Sequence, residues 1–163
     1  MPTAPATELR QAFQRVVIIY AFLIASLFLY ASVVELIKRE FVPFDGFFPF
    51  PQVDILRYIL LALAIAYFVL TRYIKGYVLS ATSPVKTALY QSKPFSEPIQ
   101  RLYLSSVIAG LMCAATAIYG LVLFLAAGNA LDYYLFAALS LVLFAANFPR
   151  YTWWEQWINK QSQ

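Results

Sequence analysis

Four long apolar runs constrain this chain more than any other feature of its sequence. They lie at about 16–36, 55–71, 102–127 and 131–148. A bilayer core of about 30 Å needs about 20 helical residues, a length that the first and third runs meet and the other two approach. A transmembrane β-strand would instead alternate lipid-facing and lumen-facing residues, and none of the runs does so. The sequence predicts an all-α, polytopic integral membrane protein with four transmembrane helices.

Composition excludes an ordinary soluble domain. Apolar residues make up 62% of the chain and charged residues 12%, and a soluble protein of this size could not bury so much apolar surface. The first run is longer than the core of a typical signal peptide, so we expect a retained helix. We expect residues 1–163 to form a single membrane domain that lipid solvates.

The basic residues are unevenly distributed between the segments that flank the runs. The N-terminal segment, the central loop at about 72–101 and the C-terminal tail together hold Arg10, Arg15, Arg72, Lys75, Lys86, Lys93, Arg101, Arg150 and Lys160. The other two loops hold only Lys38, Arg39 and Arg57. Because cytoplasmic segments are enriched in Lys and Arg, we expect both termini and the central loop to be cytoplasmic, in a cell (inner) membrane.

The two halves of the chain share a spacing. Asp54 precedes Arg72 by 18 residues, and Asp132 precedes Arg150 by 18 residues. This pattern is consistent with two tandem helical hairpins. Membrane interfaces also favour Arg at the inner ends and Asp at the outer ends of transmembrane helices. The shared spacing could therefore arise without a duplication.

The segment 41–51 is rich in aromatic residues and proline, with five phenylalanines and three prolines. Proline prevents it from continuing a helix. Its rings would form a sticky patch in water, so they belong in the headgroup layer or against a partner. The predicted partner contacts here are Phe44, Phe47, Phe48 and Phe50.

The three tryptophans follow Pro149 near the C-terminus. Trp153, Trp154 and Trp157 fall at helical spacing, with polar residues elsewhere on the wheel. Indole rings prefer the bilayer interface. We predict a short interfacial C-terminal helix with these residues as its anchors.

Polar residues at the span ends are the remaining intramembrane candidates. Glu35 falls at the outer end of the first run, where it can pair with Lys38 or Arg39; a proton or cation site is the alternative. Asn147 is interpreted as a helix-end residue of the fourth run.

Small residues line a face of the third run. Gly110, Ala114 and Ala117 lie on it, and Ala21 and Ala25 make a similar step on the first run. Such faces allow helices to approach closely. They indicate packing within the bundle or, alternatively, contact with a partner or a second copy.

The sequence contains no recognisable catalytic or metal-binding motif. Histidine is absent, and Cys113 is the only cysteine; neither a phosphate-binding glycine loop nor a catalytic constellation is present. We therefore predict no enzyme, cofactor, metal site or nucleic-acid partner. The favoured function is a non-catalytic subunit or assembly component of a membrane complex, with lipids and membrane proteins, or further copies of the chain, as partners. The alternative is a small transporter or channel-like homo-oligomer, which the repeat motivates.

Overall fold

A computed structural model describes residues 4–41, 43–47, 53–79 and 95–161. Within these residues the chain is all-helical, with five helices and no strand. The helices are α1 (Ala4–Glu40), α2 (Val53–Leu79), α3 (Glu97–Ala127), α4 (Ala130–Asn147) and α5 (Tyr151–Gln161).

Four of these helices are long and apolar enough to cross a membrane, as predicted. The qualifying segments are Thr7–Glu40, Val53–Thr71, Glu97–Ala127 and Ala130–Asn147. Helices α1 and α2 extend past their apolar runs at both ends and α3 at its start, because backbone hydrogen bonding can continue where apolarity stops, whereas α4 nearly coincides with its run. The predicted loop at 72–101 is thus helical at both ends, up to Leu79 and again from Glu97.

Helix α3 is the centre of the fold, since it packs against each of the other four helices. It runs parallel to α1: the Ser96 amide at its start donates to Glu8 Oε2 over 3.3 Å, and further along the Tyr20 hydroxyl donates to the Ser106 carbonyl oxygen over 3.1 Å.

Helices α2 and α4 run the opposite way to α1 and α3. The Tyr67 and Tyr119 hydroxyls lie 2.6 Å apart, and the Thr71 hydroxyl approaches Met112 Sδ to 3.7 Å. Residue numbers therefore rise along α2 as they fall along the neighbouring α3, so the two helices are antiparallel. Helix α4 returns from α3 through a tight turn in which Gly128 has φ +74°.

The alternating directions give the bundle two chemically different ends. At one, here called the basic end, α1 and α3 begin and α4 ends; its described basic residues are Arg10, Arg15, Arg101, Arg150 and Lys160. At the other, the loop end, α1 ends, α2 begins and α3 turns into α4. The loop end carries Glu35, Lys38, Arg39, Glu40, Asp45, Asp54, Arg57 and Asp132.

The two halves of the chain pack differently. Helices α3 and α4 form a closely packed antiparallel hairpin, whereas α1 and α2 make at most slight contact and each packs against α3. The two hairpins therefore share an order of elements but not a packing arrangement. Duplication stays a prediction.

Candidate functional site

Tyrosine and serine hydroxyls inside the bundle are used to hold helices together. The Tyr133 hydroxyl donates to the Leu27 carbonyl oxygen over 2.7 Å, and the Ser140 hydroxyl donates to the Cys113 carbonyl oxygen over 2.7 Å. Tyr20 is fully buried and bonds Ser106 of α3. Each of these donors has a main-chain acceptor on another helix, so these hydrogen bonds link the helices and have a structural role.

The small-residue face of α3 is occupied by the chain's own helices. Gly110 is buried against the Tyr20 ring, whose Cε2 would lie 2.9 Å from an added Cβ. Ala114 and Ala117 are buried in the same core. Contact of these three residues with a partner stays a prediction, but their described surroundings lie within the chain.

The similar pair of small residues on α1 is exposed, in contrast to the buried residues of α3. Ala21 and Ala25 are exposed, because α1 buries the stripe that contains Val16, Tyr20 and Leu27. We call the exposed stripe the outer α1 face; it comprises Ile18, Ala21, Phe22, Ala25, Phe28, Leu29, Ser32, Val33 and Leu36. Its large side chains are strongly exposed, with Phe22 at 73%.

A surface groove of about 460 Å³ lies at the loop end of the outer α1 face. Phe28, Ser32 and Leu36 line it together with the charged residues Glu35 and Arg39. The face thus combines apolar bulk, small residues and a concave charged end.

Glu35 is held by two partners at the loop end. The Lys38 ammonium lies 3.0 Å from its Oε1, which is one of the predicted pairings. The Tyr134 hydroxyl of α4 also donates to this oxygen. Tyr134 is not predictable as a partner from the sequence, because its proximity to Glu35 depends on α4 packing beside α1. An ion-paired, half-exposed carboxylate of this kind ties α1 to α4.

The second loop-end cluster was not predicted. Arg57 of α2 donates from Nε and Nη2 to the two carboxylate oxygens of Asp132 at 2.8 Å each, and from Nη1 to Asp54 at 2.8 Å. The Asp132 side chain is 4% exposed, and that of Arg57 33%. The available signal was a basic residue at the start of the apolar run of α2, three residues after Asp54. This fork fastens α2 to α4.

The aromatic loop is docked on the loop end. The Phe47 amide donates to the Leu125 carbonyl oxygen over 2.8 Å, and the Phe44 and Phe124 ring centroids lie 5.2 Å apart. Gly46 has φ +87°, and a Cβ there would overlap the Ala126 carbonyl oxygen. Phe47 remains 58% exposed. The other two predicted contacts, Phe48 and Phe50, lie outside the described residues.

The C-terminal tryptophans fall in three different environments. Trp154 is 1% exposed and its ring is edge-on to Phe13, with centroids 5.6 Å apart. Trp153 is 45% exposed, and Trp157 packs partly against the core. Helix α5 is therefore folded onto α1 and α3. A membrane-interface role stays a prediction; the exposed Trp153 is better placed for it than Trp154.

Asn147 is buried at the end of α4. Its side-chain amide donates to the Leu143 carbonyl oxygen over 3.0 Å, and its own carbonyl oxygen lies 3.4 Å from the Tyr20 hydroxyl. These contacts are those of a residue that finishes a helix.

A pocket of about 380 Å³ opens at the basic end, where α3, the end of α4 and the start of α5 meet. Its lining includes the polar residues Ser105, Ser106, Arg150, Thr152, Trp153 and Gln156. No sequence pattern indicates that these residues share a site, because they come together only through the reversal at Pro149.

In the part of the chain that the structure describes, no group of three or more His, Cys, Asp or Glu side chains converges. Cys113, the only cysteine of the sequence, is buried. Comparison of the chain with models of known protein families, with curated proteins and with solved structures gives no match.

Proposed function

We propose that this chain is a non-catalytic integral membrane protein that serves as a subunit or assembly component of a larger membrane complex. In this proposal the four long helices cross a cell (inner) membrane, with the basic end in the cytoplasm. Partner membrane proteins, or further copies of the chain, bind the outer α1 face.

The observation that carries the proposal is the outer α1 face itself. The most apolar windows of α1 and α2 are 17% and 6% buried within the chain, against 50% for α3. Ala21 and Ala25 leave a shallow depression between the exposed Phe22 and Leu29 side chains. Small residues next to large ones allow close backbone approach, which stabilises helix association in lipid where a hydrophobic driving force is lacking.

The interior supports assembly over transport. Substrate pathways in membrane proteins are commonly marked by ionisable groups that face a cavity near mid-membrane. Here Tyr20, Tyr133 and Ser140 bond main-chain carbonyls of neighbouring helices. Of the described carboxylates that are bonded to a neighbouring element, Glu35 and Asp132 lie at the loop end and Glu8 lies at the basic end.

The test is purification from the native membrane in mild detergent, followed by mass measurement of the intact assembly. The variant Ala21→Leu/Ala25→Leu fills the depression on α1 without adding a polar group. The matched control is Ala62→Leu/Ala66→Leu, the same pair of changes at two exposed positions of α2.

We expect the wild-type chain and the α2 variant to purify within a larger assembly, and the α1 variant to purify alone with its fold intact. A wild-type chain that is monomeric under these conditions contradicts the proposal. Loss of assembly in the α2 variant alone would move the interface to α2.

A further inference from the structure

We infer that the pocket at the basic end binds a phosphate group, and that the phosphate belongs to the headgroup of an anionic phospholipid. The lipid source rests on the membrane placement of the proposed function. The phosphate chemistry rests on the pocket alone.

The first supporting observation is a hydroxyl without a partner. Ser106 is 6% exposed and lines the pocket. Its main-chain carbonyl accepts from Tyr20, but its Oγ has no hydrogen-bond partner among the described residues, unlike the neighbouring Ser105, whose Oγ donates to the Leu102 carbonyl oxygen. Since Ser106 is otherwise enclosed, its remaining surface and its free donor lie in the pocket. Because this hydroxyl opens onto the pocket, it can donate a hydrogen bond to an acceptor that enters there.

The start of α5 supplies the second set of donors. Helix α5 has no acidic residue in its first turn. In the described part of the chain, Trp154 is the first amide of α5 with a main-chain acceptor, the Arg150 carbonyl oxygen at 3.3 Å. The amides of Thr152 and Trp153 precede it, and both residues line the pocket. Free amides at the positive end of a helix dipole are well suited to an anion.

Charge at the pocket has one sign. Arg150 is exposed and has no carboxylate partner within the described residues. Among the described lining residues it is the one charged side chain. A guanidinium, free helix amides and a hydroxyl are donors without a competing acidic group, a combination that matches phosphate.

The position of the pocket favours a lipid over a soluble ion. Helix α4 has 18 residues, about 27 Å at the rise of an α-helix, so its ends fall near the two edges of a bilayer core. The pocket adjoins the Asn147 end. The exposed Phe148 and Trp153 flank it, and their rings can contact acyl chains beside the headgroup.

The experiment is native mass spectrometry of the full-length chain with two lipids of identical acyl chains, phosphatidylglycerol and diacylglycerol. The site variants are Arg150→Gln and Ser106→Ala, the second of which removes one oxygen and no charge. The matched control is Lys160→Gln, which removes the same charge from the far end of α5. Inorganic phosphate is added separately to test whether a free ion competes.

We expect the wild-type chain to retain phosphatidylglycerol and not diacylglycerol. Arg150→Gln should weaken retention by about fivefold or more, Ser106→Ala should weaken it measurably, and Lys160→Gln should leave it unchanged. Displacement by inorganic phosphate would support the site and assign it to a free anion, whereas no displacement would assign it to the headgroup.

Equal retention by both lipids would overturn the inference, because contact with the acyl chains alone would then explain the binding. Equal weakening by Arg150→Gln and Lys160→Gln would also overturn it, because general charge attraction would then be sufficient. The outcome is separable from the proposed function. Site variants should lose lipid within an intact assembly, while the α1 variant should lose the assembly and keep its lipid.

Discussion

Removing Arg57 and removing Asp132 should lower the free energy of unfolding by different amounts, although the two residues form one ion pair. Arg57→Gln leaves the Asp132 carboxylate, 4% exposed, without its cation. Asp132→Asn leaves the guanidinium still bonded to Asp54 and one-third exposed. The structure therefore predicts that removing the arginine destabilises the fold more than removing the aspartate.

The magnitudes follow from burial. Breaking a buried ion pair by removing one partner costs about 3–5 kcal/mol; because Arg57 is partly exposed, we take the lower limit, about 3 kcal/mol, for Arg57→Gln. Asp132→Asn loses charge-assisted hydrogen bonds but keeps a neutral partner, so we expect about 1.5 kcal/mol. The double variant should cost less than the sum of the two, since the isolated buried charge is gone.

The assay is reversible unfolding in mild detergent, read by tryptophan fluorescence, for the two single variants and the double variant. Lys38→Gln is the control, because it breaks an ion pair whose side chains are 42% and 47% exposed and should change stability little. Equal losses from the two single variants, or a larger loss from Asp132→Asn, would refute this description of the fork.

Three further predictions concern single positions. Gly120→Ala should lower the free energy of unfolding by about 1–2 kcal/mol, because its Cβ would lie 2.6 Å from Phe136 Cβ and 3.1 Å from the Tyr133 backbone. Gly110→Ala should cost less, because its Cβ would meet side-chain atoms of Tyr20 and Leu23, at 2.9 Å and 3.2 Å, and not backbone. Equal losses in thermal unfolding would contradict this. Glu35→Gln should preserve fold and assembly, and loss of a measured ion flux in this variant with normal expression would instead favour a transporter. Phe44→Ser should destabilise the chain by about 1–2 kcal/mol, because its ring contacts Phe124. Phe47→Ser should leave the fold intact and should weaken partner binding only if Phe47 is an interface residue. Unfolding measures the first effect, and co-purification measures the second.

The helices were predictable because length and apolarity are local properties of the chain. The four runs matched α1 to α4, and the spacing of Trp153, Trp154 and Trp157 indicated α5. The helix ends were predicted less accurately, because polar residues can continue a helix beyond an apolar run. Helix α2, for example, continues to Leu79.

The arrangement of the helices was not predictable, because runs that are apolar on all sides do not reveal which face is buried. Gly110–Ala114 and Ala21–Ala25 are equivalent patterns in sequence, yet the first is covered by Tyr20 and the second is exposed. The pairing of Arg57 with Asp132 and the meeting of Ser106 with Arg150 depend on which helices are neighbours. Single-sequence periodicity does not carry that information.

The placement of the two ends on opposite sides of a membrane is the claim on which the proposed function rests. Single cysteines replacing Asp45 at the loop end and Lys160 at the basic end, in a Cys113→Ala background, can be labelled with a membrane-impermeant thiol reagent in intact cells. We expect the cysteine at 45 to be labelled directly and the cysteine at 160 only after permeabilisation. Direct labelling of both positions in intact cells would contradict four spans with cytoplasmic termini.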